Sequence, residues 1–362
     1  MQSEKVLGSE LAASGIPPSR SQSSKAGFWI WIHLGTFILG LAILVYVIYR
    51  IGYESIFQSI STVGWGFAVI VSLNLVRHLA RASSMYLAID PQHRTFNFRN
   101  VVAARFGGEA VTFFTFTGPF LGDATKAALL RKDLPLTYGA SAVITDNILY
   151  YVSVILVMLT GIAALLLSFG RNGSSIDSVL IVVVASLVLV FLALSFAMRF
   201  RITPISRFIN FLSNRKLAPQ FLLKVRRNIL DVETNVFQFY KNRRADFYKL
   251  FFISMTVHFL SVLEVYCALV FLDFKAAPST ALIIESLTKV INAVFGFIPG
   301  TIGVYEGGNG VILQTLGYTV AAGVALALVR RGAILVSTMI GVLILLWRTA
   351  GHGVKHLATS DD

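Results

Sequence analysis

Two glycine- and proline-rich motifs, each with an acidic residue, interrupt apolar parts of this 362-residue chain. The residues that break a helix are Gly118, Pro119 and Gly122 in the first motif and Pro299, Gly300, Gly303 and Gly307 in the second. Backbone that cannot stay helical beside lipid must be enclosed by protein or line a wet cavity. The acids of the motifs, Asp123 and Glu306, therefore need a partner or a substrate.

The two motifs are related by their position in the chain. Aligning Gly122 with Gly303 offsets the motifs by half of the 362 residues. This offset predicts an internal duplication with one break in each half.

Basic side chains at helical spacing lie within the same apolar parts of the chain. Arg77 and Arg81 are four residues apart and share one face of a helix. Two guanidiniums on one face suit a phosphate, because each can form bidentate charge-assisted hydrogen bonds. The alternative is that Arg81 lies near the end of its span and extends its charge to the membrane surface.

Charged pairs at four-residue spacing recur near both motifs, as Arg105 with Glu109 and as Glu285 with Lys289. Each pair either closes on itself or belongs to a shared polar cavity, since charges inside membrane segments usually face a partner or a cavity. Asp123 has a helix cap as its alternative role. Glu264 is a candidate partner for the arginines of the last span. The other candidate substrate-binding residues are Lys126, Asp146, Asn292, Glu306, Arg330 and Arg331.

The chain offers little for metal chemistry. Cys267 is the single cysteine, which excludes an intramolecular disulfide and a cysteine-based zinc site. His78 and His258 lie on apolar segments, where lone histidines more often serve structure than bind metal. We expect no metal site and no cofactor.

The elements that position these residues are long apolar helices. Hydrophobic residues make up 56% of the chain, and the mean hydropathy is +0.73. We predict an all-α polytopic membrane protein with about six full spans, at 28–49, 64–89, 138–168, 178–199, 248–272 and 320–347. Two shorter apolar segments, 101–121 and 280–298, run into the motifs. We expect both to be re-entrant, with a full crossing as the alternative.

These segments predict one membrane domain, 28–350, between a disordered N-terminal tail, 1–27, and a C-terminal tail, 351–362. The N-terminal tail lacks the pattern of a cleaved signal peptide. Within the domain, repeat 1 (about 64–168) and repeat 2 (about 246–347) begin on opposite sides of the membrane. This inverted-topology arrangement is typical of secondary transporters, whose sites lie at broken helices.

Charge placement argues for a membrane surface rather than for nucleic acid. The net charge is +13, and residues 199–249 hold twelve Lys and Arg against three acids. A basic linker such as 199–247 marks the cytoplasmic side, so both termini are predicted to be cytoplasmic. Apolar residues recur in it at helical spacing: Leu222, Val225, Ile229, Val232, Val236 and Phe239. This helix either docks onto anionic headgroups or is a linker that sets topology.

The two motifs resemble those of the lysylphosphatidylglycerol synthase transmembrane region, also known as the flippase-like domain family. The second motif, from Pro299 to Gly307, is similar to that family's signature Pro-Gly-x-x-Gly-x-x-Glu-Gly. The first motif, with Lys126 after it, is similar to a second signature, and Arg330 or Arg331 matches a later arginine. The resemblance covers about residues 28–350.

The resemblance implies a flippase-like transporter that moves an anionic or aminoacylated phospholipid, or a lipid-linked intermediate, across a bacterial inner membrane. Asp123 and Lys126 stand where the family commonly has Glu and Arg, which loosens any bidentate phosphate contact there. No soluble aminoacyl-transferase domain follows the last span, so we do not expect lysyl transfer by this chain.

Two other functions remain open at this point. One is a glycosyltransferase that uses a polyprenyl-phosphate sugar, although the short outer loops supply few acids, such as Glu54 and Asp177. The other is an accessory subunit that binds a separate synthase or glycosyltransferase.

Overall fold

The computed structural model describes residues 53–115, 119–169, 175–200, 203–215, 220–296 and 298–358. Every regular element in these ranges is helical, which confirms the predicted all-α class. The predicted tail 1–27 and the predicted span 28–49 lie outside the described residues. The chain divides into two compact units, and the contacts discussed below belong to the larger one, Val47–Trp347.

The helices of the first part are α1 (Tyr53–Val63), α2 (Gly66–Ala88), α3 (Phe98–Phe114), α4 (Pro119–Leu129), α5 (Leu136–Phe169) and α6 (Ser175–Arg199). Those of the second part are α7 (Pro204–Asn214), α8 (Gln220–Asn242), α9 (Arg244–Phe271), α10 (Pro278–Phe295), α11 (Val304–Thr315) and α12 (Val320–Ala358). Short 3-10 turns occur at Pro91–His93 and Pro299–Thr301. Helix α12 thus continues into the predicted tail 351–362.

Several helices of the described residues are suited to a membrane. Three are long and apolar enough to cross it, namely Leu136–Ser168, Arg244–Phe271 and Val320–Arg348. A fourth span results if Phe57–Val63 and Gly66–Ala88, bent by 102° relative to each other, count as one. The predicted span 178–199 falls on α6, which has a shorter apolar stretch, Ile181–Ala193. The protein is multi-pass, and the predicted number of six spans stays a prediction.

The first predicted re-entrant segment is a pair of helices, α3 and α4, on either side of a break. Proline suits the start of α4 at Pro119, because it lacks an N–H and fixes φ at a helical value. The two helices approach closely: a Cβ on Gly122 would lie 1.8 Å from the Thr112 hydroxyl and 2.6 Å from the Gly108 carbonyl oxygen. Only glycine fits at Gly122 without moving one of these helices.

The second predicted re-entrant segment, 280–298, falls on α10, and α11 follows it after the second break. Between them, Gly300 (φ 56°) and Gly303 (φ 78°) adopt left-handed conformations that favour glycine. The carboxylate of Glu306 accepts a hydrogen bond from the Gly303 N–H at 2.8 Å and so caps α11. A Cβ on Gly300 would lie 3.1 Å from the Phe113 ring of α3. The second break therefore packs against the end of the helix that enters the first.

Helix α2 belongs to two hydrophobic cores. Its Ile70 is fully buried with Val265 and Leu269 of α9, in a core that includes residues of α10, α11 and α12. Its Met85 is buried in a second core that includes residues of α3 and α5. Because α2 is packed into both hydrophobic cores, it positions side chains toward both halves of the chain.

The C-terminal end of α2 is held by arginine. The Arg243 guanidinium donates to the carbonyls of Leu87 at 2.7 Å and Ile89 at 3.0 Å, and also to the Asp246 carboxylate at 2.6 Å. Arg94 donates to the same two carbonyls. Positive charge at a helix C-terminus is favourable, so these contacts tie the end of α2 to the start of α9.

Candidate functional site

Buried ionic side chains of the described residues gather along α2 and near the two helix breaks. The first cluster comprises Arg81, Arg105, Lys126, Glu109, Asp123 and Asp146. The second cluster comprises Arg77, Lys289, Arg330, Glu264 and Glu285. A separate loop pair joins Arg331 to Glu306.

Arg81 of α2 lies in the more deeply buried part of the first cluster. Its Nη2 is 2.6 Å from Asp146 Oδ2 and 3.0 Å from Asn147 Oδ1, both on α5. The guanidinium also lies 3.7 Å from the centre of the Tyr150 ring, a cation–π contact. Arg81 is 5% exposed, so it does not extend to the membrane surface as the alternative prediction held.

Lys126 of α4 joins Glu109 and Asp123, the two partly exposed acids of the first cluster. Its Nζ lies 2.8 Å from Glu109 and 2.9 Å from Asp123. The Asn147 amide donates to the other Asp123 oxygen at 2.6 Å. Glu109 also pairs with Arg105 at 2.9 Å, so the predicted pair at four-residue spacing is confirmed.

The alternative prediction that Asp123 caps a helix is wrong. Helix α4 already begins at Pro119, so Asp123 lies inside it, and its carboxylate binds side chains instead. Proline at the first helical position starts α4 before the acid is reached.

Glu264 of α9 lies at the centre of the second cluster. One of its oxygens accepts from Arg77, and the other accepts from Arg330 Nε at 3.1 Å. Arg330 Nη2 reaches Glu285 at 2.8 Å, and Lys289 pairs with Glu285 at 2.7 Å. Glu264 is therefore a partner of Arg330, as predicted, and the pair of Glu285 with Lys289 is confirmed.

The second cluster holds more positive than negative charge. Among the described residues, Arg77, Lys289 and Arg330 pair with two acids, Glu264 and Glu285. The Nη1 group of Arg330 and the Nε group of Arg77 are buried and have no hydrogen-bond partner within the part of the chain that the structure describes. A buried charge without a partner is costly. An anion at this point would complement both the charge and the free donors.

The loop pair closes the second break. Arg331 Nη2 and Nε lie 2.5 Å and 2.8 Å from Glu306 Oε1, and Arg331 Nη1 donates to the Gly300 carbonyl. The guanidinium also lies 4.9 Å from the Tyr305 ring centre. Arg331 is 1% exposed, so α12 holds the loop from inside the protein.

The two arginines of α2 do not share a partner. Arg77 binds Glu264 of α9, whereas Arg81 binds Asp146 of α5. Asn292 of α10 is exposed and lies outside both clusters and the loop pair, which together hold the other predicted site residues.

Three polar residues of the site escaped the sequence reading. Asn147 links Arg81 to the first motif, Tyr150 stacks under Arg81, and the hydroxyl of Ser261 donates to Glu285 at 2.5 Å. Two signals were present in the sequence. Asn147 directly follows Asp146, and Ser261 lies about one turn before Glu264 on the same helix.

The buried histidine of α9 is engaged in structure. His258 Nε2 is 2.9 Å from the Ser153 hydroxyl, and its ring lies 4.8 Å from that of Tyr150. Within the described ranges, no three His, Cys, Asp or Glu side chains are grouped as metal ligands would be.

A mostly apolar cavity of about 210 Å³ lies between α5, α6, α8 and α9. Leu149, Phe191 and Phe239 contribute to its wall. Thr145, which precedes Asp146, lines one end of it. Its mostly apolar wall suits an apolar ligand.

Apolar helices, two helix breaks and charge clusters buried beside them define a polytopic helical membrane protein. The family model described as "Lysylphosphatidylglycerol synthase TM region" matches residues 32–341. The chain therefore belongs to this family, and its membership points to a lipid-related function in a membrane. No curated protein and no solved structure matches the chain significantly.

Proposed function

We propose that this protein is a flippase-like transporter that moves a polar-headed phospholipid, or a lipid-linked intermediate, between the leaflets of a bacterial inner membrane. The observation that carries the proposal is the positive surplus of the second cluster, together with the free Arg330 Nη1. A lipid phosphate supplies the missing negative charge. Guanidiniums bind phosphate oxygens in bidentate geometry, which a lysine alone does not offer.

The first cluster suits an amine in the same headgroup. Glu109 and Asp123 are the more open acids of the site, with side chains 27% and 26% exposed. Both bind the ammonium of Lys126, Glu109 also pairs with Arg105, and Asp123 accepts from Asn147. A carboxylate can accept more hydrogen bonds than these, so a second ammonium can bind here in this proposal. An aminoacylated phospholipid would place its phosphate at Arg330 and its amine at these acids. A purely anionic lipid would use the second cluster alone.

The apolar cavity favours a lipid over a small soluble anion. Its wall consists mostly of aliphatic and aromatic side chains, and it includes Thr145, the neighbour of Asp146 in sequence. In this proposal a hydrocarbon chain lies there.

The lengths of the paired helices favour re-entrant segments in an inverted repeat. At 1.5 Å per residue, the 17 residues of α3 and the 11 residues of α4 extend about 26 Å and about 17 Å. Both fall short of the roughly 30 Å of a bilayer core. With α10 and α11 as the second pair, each half offers one break near the midplane, where transporter sites occur.

Transport in this scheme proceeds by exchange of ion-pair partners. A phosphate that binds Arg330 competes with Glu264, which among the described residues then keeps Arg77 as its cationic partner. Weakening the contact between Arg330 and Glu264 frees α12 to shift relative to α9. Both termini lie on the cytoplasmic side in this proposal.

The contacts favour transport over sugar transfer. Each of the six acids in the clusters and the loop pair is held by a cation. A general base needs a carboxylate that is free to accept a proton from substrate. The proposal therefore includes no enzymatic activity of this chain, and a separate synthase would supply an aminoacylated lipid.

The test is a leaflet assay in proteoliposomes. Fluorescent phosphatidylglycerol, phosphatidylethanolamine and lysyl-phosphatidylglycerol are reconstituted with the full chain, and a membrane-impermeant reductant reports how fast label reaches the outer leaflet. We expect faster translocation of at least one lipid than in protein-free vesicles. Arg330→Gln should abolish the difference, and Arg330→Lys should restore part of it.

Arg226→Gln is the matched control, because Arg226 is an exposed arginine of α8. Its translocation rate should equal that of the unmodified chain. Folded, monodisperse protein that accelerates none of the three lipids would contradict the proposal.

A further inference from the structure

Helix α7 presents large apolar side chains outward. Ile205, Phe208 and Phe211 are 52%, 60% and 54% exposed. Their spacing of three residues places them on one side of the helix, together with Leu212. A contiguous apolar face of this kind marks an interaction surface.

The opposite side of α7 is fixed on α8. Ile209 and Ser206 are buried there. Glu233 of α8 accepts hydrogen bonds from the backbone N–H groups of Ile205 at 2.9 Å and Ser206 at 3.2 Å, and from the Ser206 hydroxyl. A carboxylate at a helix N-terminus is favourable. The Glu233 contact therefore holds α7 with its apolar face outward.

Chain connectivity places α7 at the end of an apolar helix. Helix α6 ends at Arg199, and its last turns expose Leu192 and Phe196. Helix α7 begins at Pro204, and five residue steps of extended chain reach at most about 18 Å. The apolar surface of α6 is thus followed within a short distance by that of α7.

Exposed positive charge lies on α7 itself and on the neighbouring helix α8. Arg207 and Arg215 of α7 and Arg226 and Arg227 of α8 are exposed. The Arg215 guanidinium lies 5.2 Å from the Phe211 ring centre, so charge and apolar face adjoin. Basic amphipathic helices bind anionic membrane surfaces by this combination.

The apolar face of α8 is only partly free for the same role. Val236 and Phe239 are buried, whereas Val225 is 39% exposed. Helix α8 packs on α5, so the C-terminal part of the predicted docking face is covered by the protein. The exposed apolar face of the linker therefore lies mainly on α7. The sequence analysis predicted a docking helix in this linker and did not distinguish α7 from α8.

We infer that α7 is a membrane-surface helix. It inserts Ile205, Phe208 and Phe211 into the leaflet at which α6 ends, and Arg207 and Arg215 bind anionic phospholipid headgroups. The inference rests on the exposure and charge of α7 and does not depend on lipid transport.

Depth measurement by spin labelling tests the inference. The background is the full chain with Cys267→Ala. A single cysteine replaces Phe208 in one variant and Phe211 in a second, and each cysteine carries a nitroxide. The labelled proteins are reconstituted in phosphatidylcholine with or without phosphatidylglycerol. We expect the label to be accessible to oxygen and shielded from an aqueous nickel complex. A label at Asn214, the exposed polar end of the same helix, is the matched control and should show the reverse.

The lipid dependence tests the arginines. Phosphatidylglycerol should deepen the Phe208 label, and Arg207→Gln with Arg215→Gln should weaken this dependence by roughly fivefold per arginine. Equal nickel accessibility at Phe208 and Asn214 overturns the inference. So does spin–spin broadening between copies, which indicates a dimer interface, or shielding from both oxygen and nickel, which indicates a protein cover.

Discussion

Arg77 and Arg81 lie one helical turn apart on α2, yet they bind acids from opposite halves of the chain. Arg77 pairs with Glu264 of α9, and Arg81 pairs with Asp146 of α5. Helix α2 therefore links the two charge clusters through its own backbone. A shift of α2 along its axis would change both ion pairs together.

The first prediction concerns Glu264, which serves two arginines. Glu264→Gln should lower stability by about 3–5 kcal/mol, because Arg77 and Arg330 are left facing each other without their shared acid. Arg77→Gln should cost less. The double variant should recover part of the loss, with a coupling of about 0.5–3 kcal/mol. Thermal unfolding in detergent measures all three, and strict additivity would show that the pair is not coupled.

The second prediction concerns Glu306, which holds Arg331 with one oxygen and the Gly303 N–H with the other. Glu306→Gln has only one acceptor oxygen, so the second break should loosen by about 1–3 kcal/mol. Lipid translocation should fall while membrane insertion is unchanged. Asp231→Asn removes an exposed acid of α8 and is the control. Loss of folding in Glu306→Gln would instead assign a purely structural role to this acid.

The third prediction concerns the close approach of α3 and α4. Gly122→Ala should cost about 1–3 kcal/mol, because its Cβ meets both the Thr112 side chain and the Gly108 carbonyl. Thr112→Ala should relieve this only in part, since the carbonyl contact at 2.6 Å remains. The control is Gly139→Ala in α5, whose Cβ would meet nothing closer than 3.5 Å. The melting temperatures of Gly122→Ala, of Gly122→Ala with Thr112→Ala, and of Gly139→Ala measure these effects. Equal melting temperatures for Gly122→Ala and Gly139→Ala would contradict the prediction.

The fourth prediction concerns the orientation of the first helix pair. Single cysteines at Thr95 and Ala128, both exposed, are introduced with Cys267→Ala and treated with a membrane-impermeant maleimide. The short lengths of α3 and α4 predict labelling of both from the same side. Labelling from opposite sides would refute the re-entrant segment and the inverted repeat.

Much of the fold could be predicted from the length of the apolar segments and from the positions of glycine and proline. The predicted segment 64–89 corresponds to α2 at Gly66–Ala88, and the predicted segment 101–121 contains the break between α3 and α4. Proline and glycine act locally, so their effect is visible in a single sequence. The end of α2 is set differently, since Arg243, far away in sequence, binds its last carbonyls.

The pairing within the site could be predicted only in part. Spacing of four residues revealed the pairs of Arg105 with Glu109 and of Glu285 with Lys289, because both members lie on one helix. Spacing also placed Arg77 and Arg81 on one face. It carried no information on which distant helix each would meet, because that depends on how α5 and α9 pack around α2.

Asn147 carries a constraint that its neighbours do not. Its amide oxygen accepts a hydrogen bond from Arg81, and its amide nitrogen donates one to Asp123. Asn147 therefore binds one cation and one anion at the same time. Aspartate, though of the same shape, would repel Asp123, and leucine would satisfy neither group. Among relatives that keep Arg81 and Asp123, position 147 should therefore vary only to side chains with one donor and one acceptor. Such a restriction makes a neutral amide as diagnostic of this site as its charges.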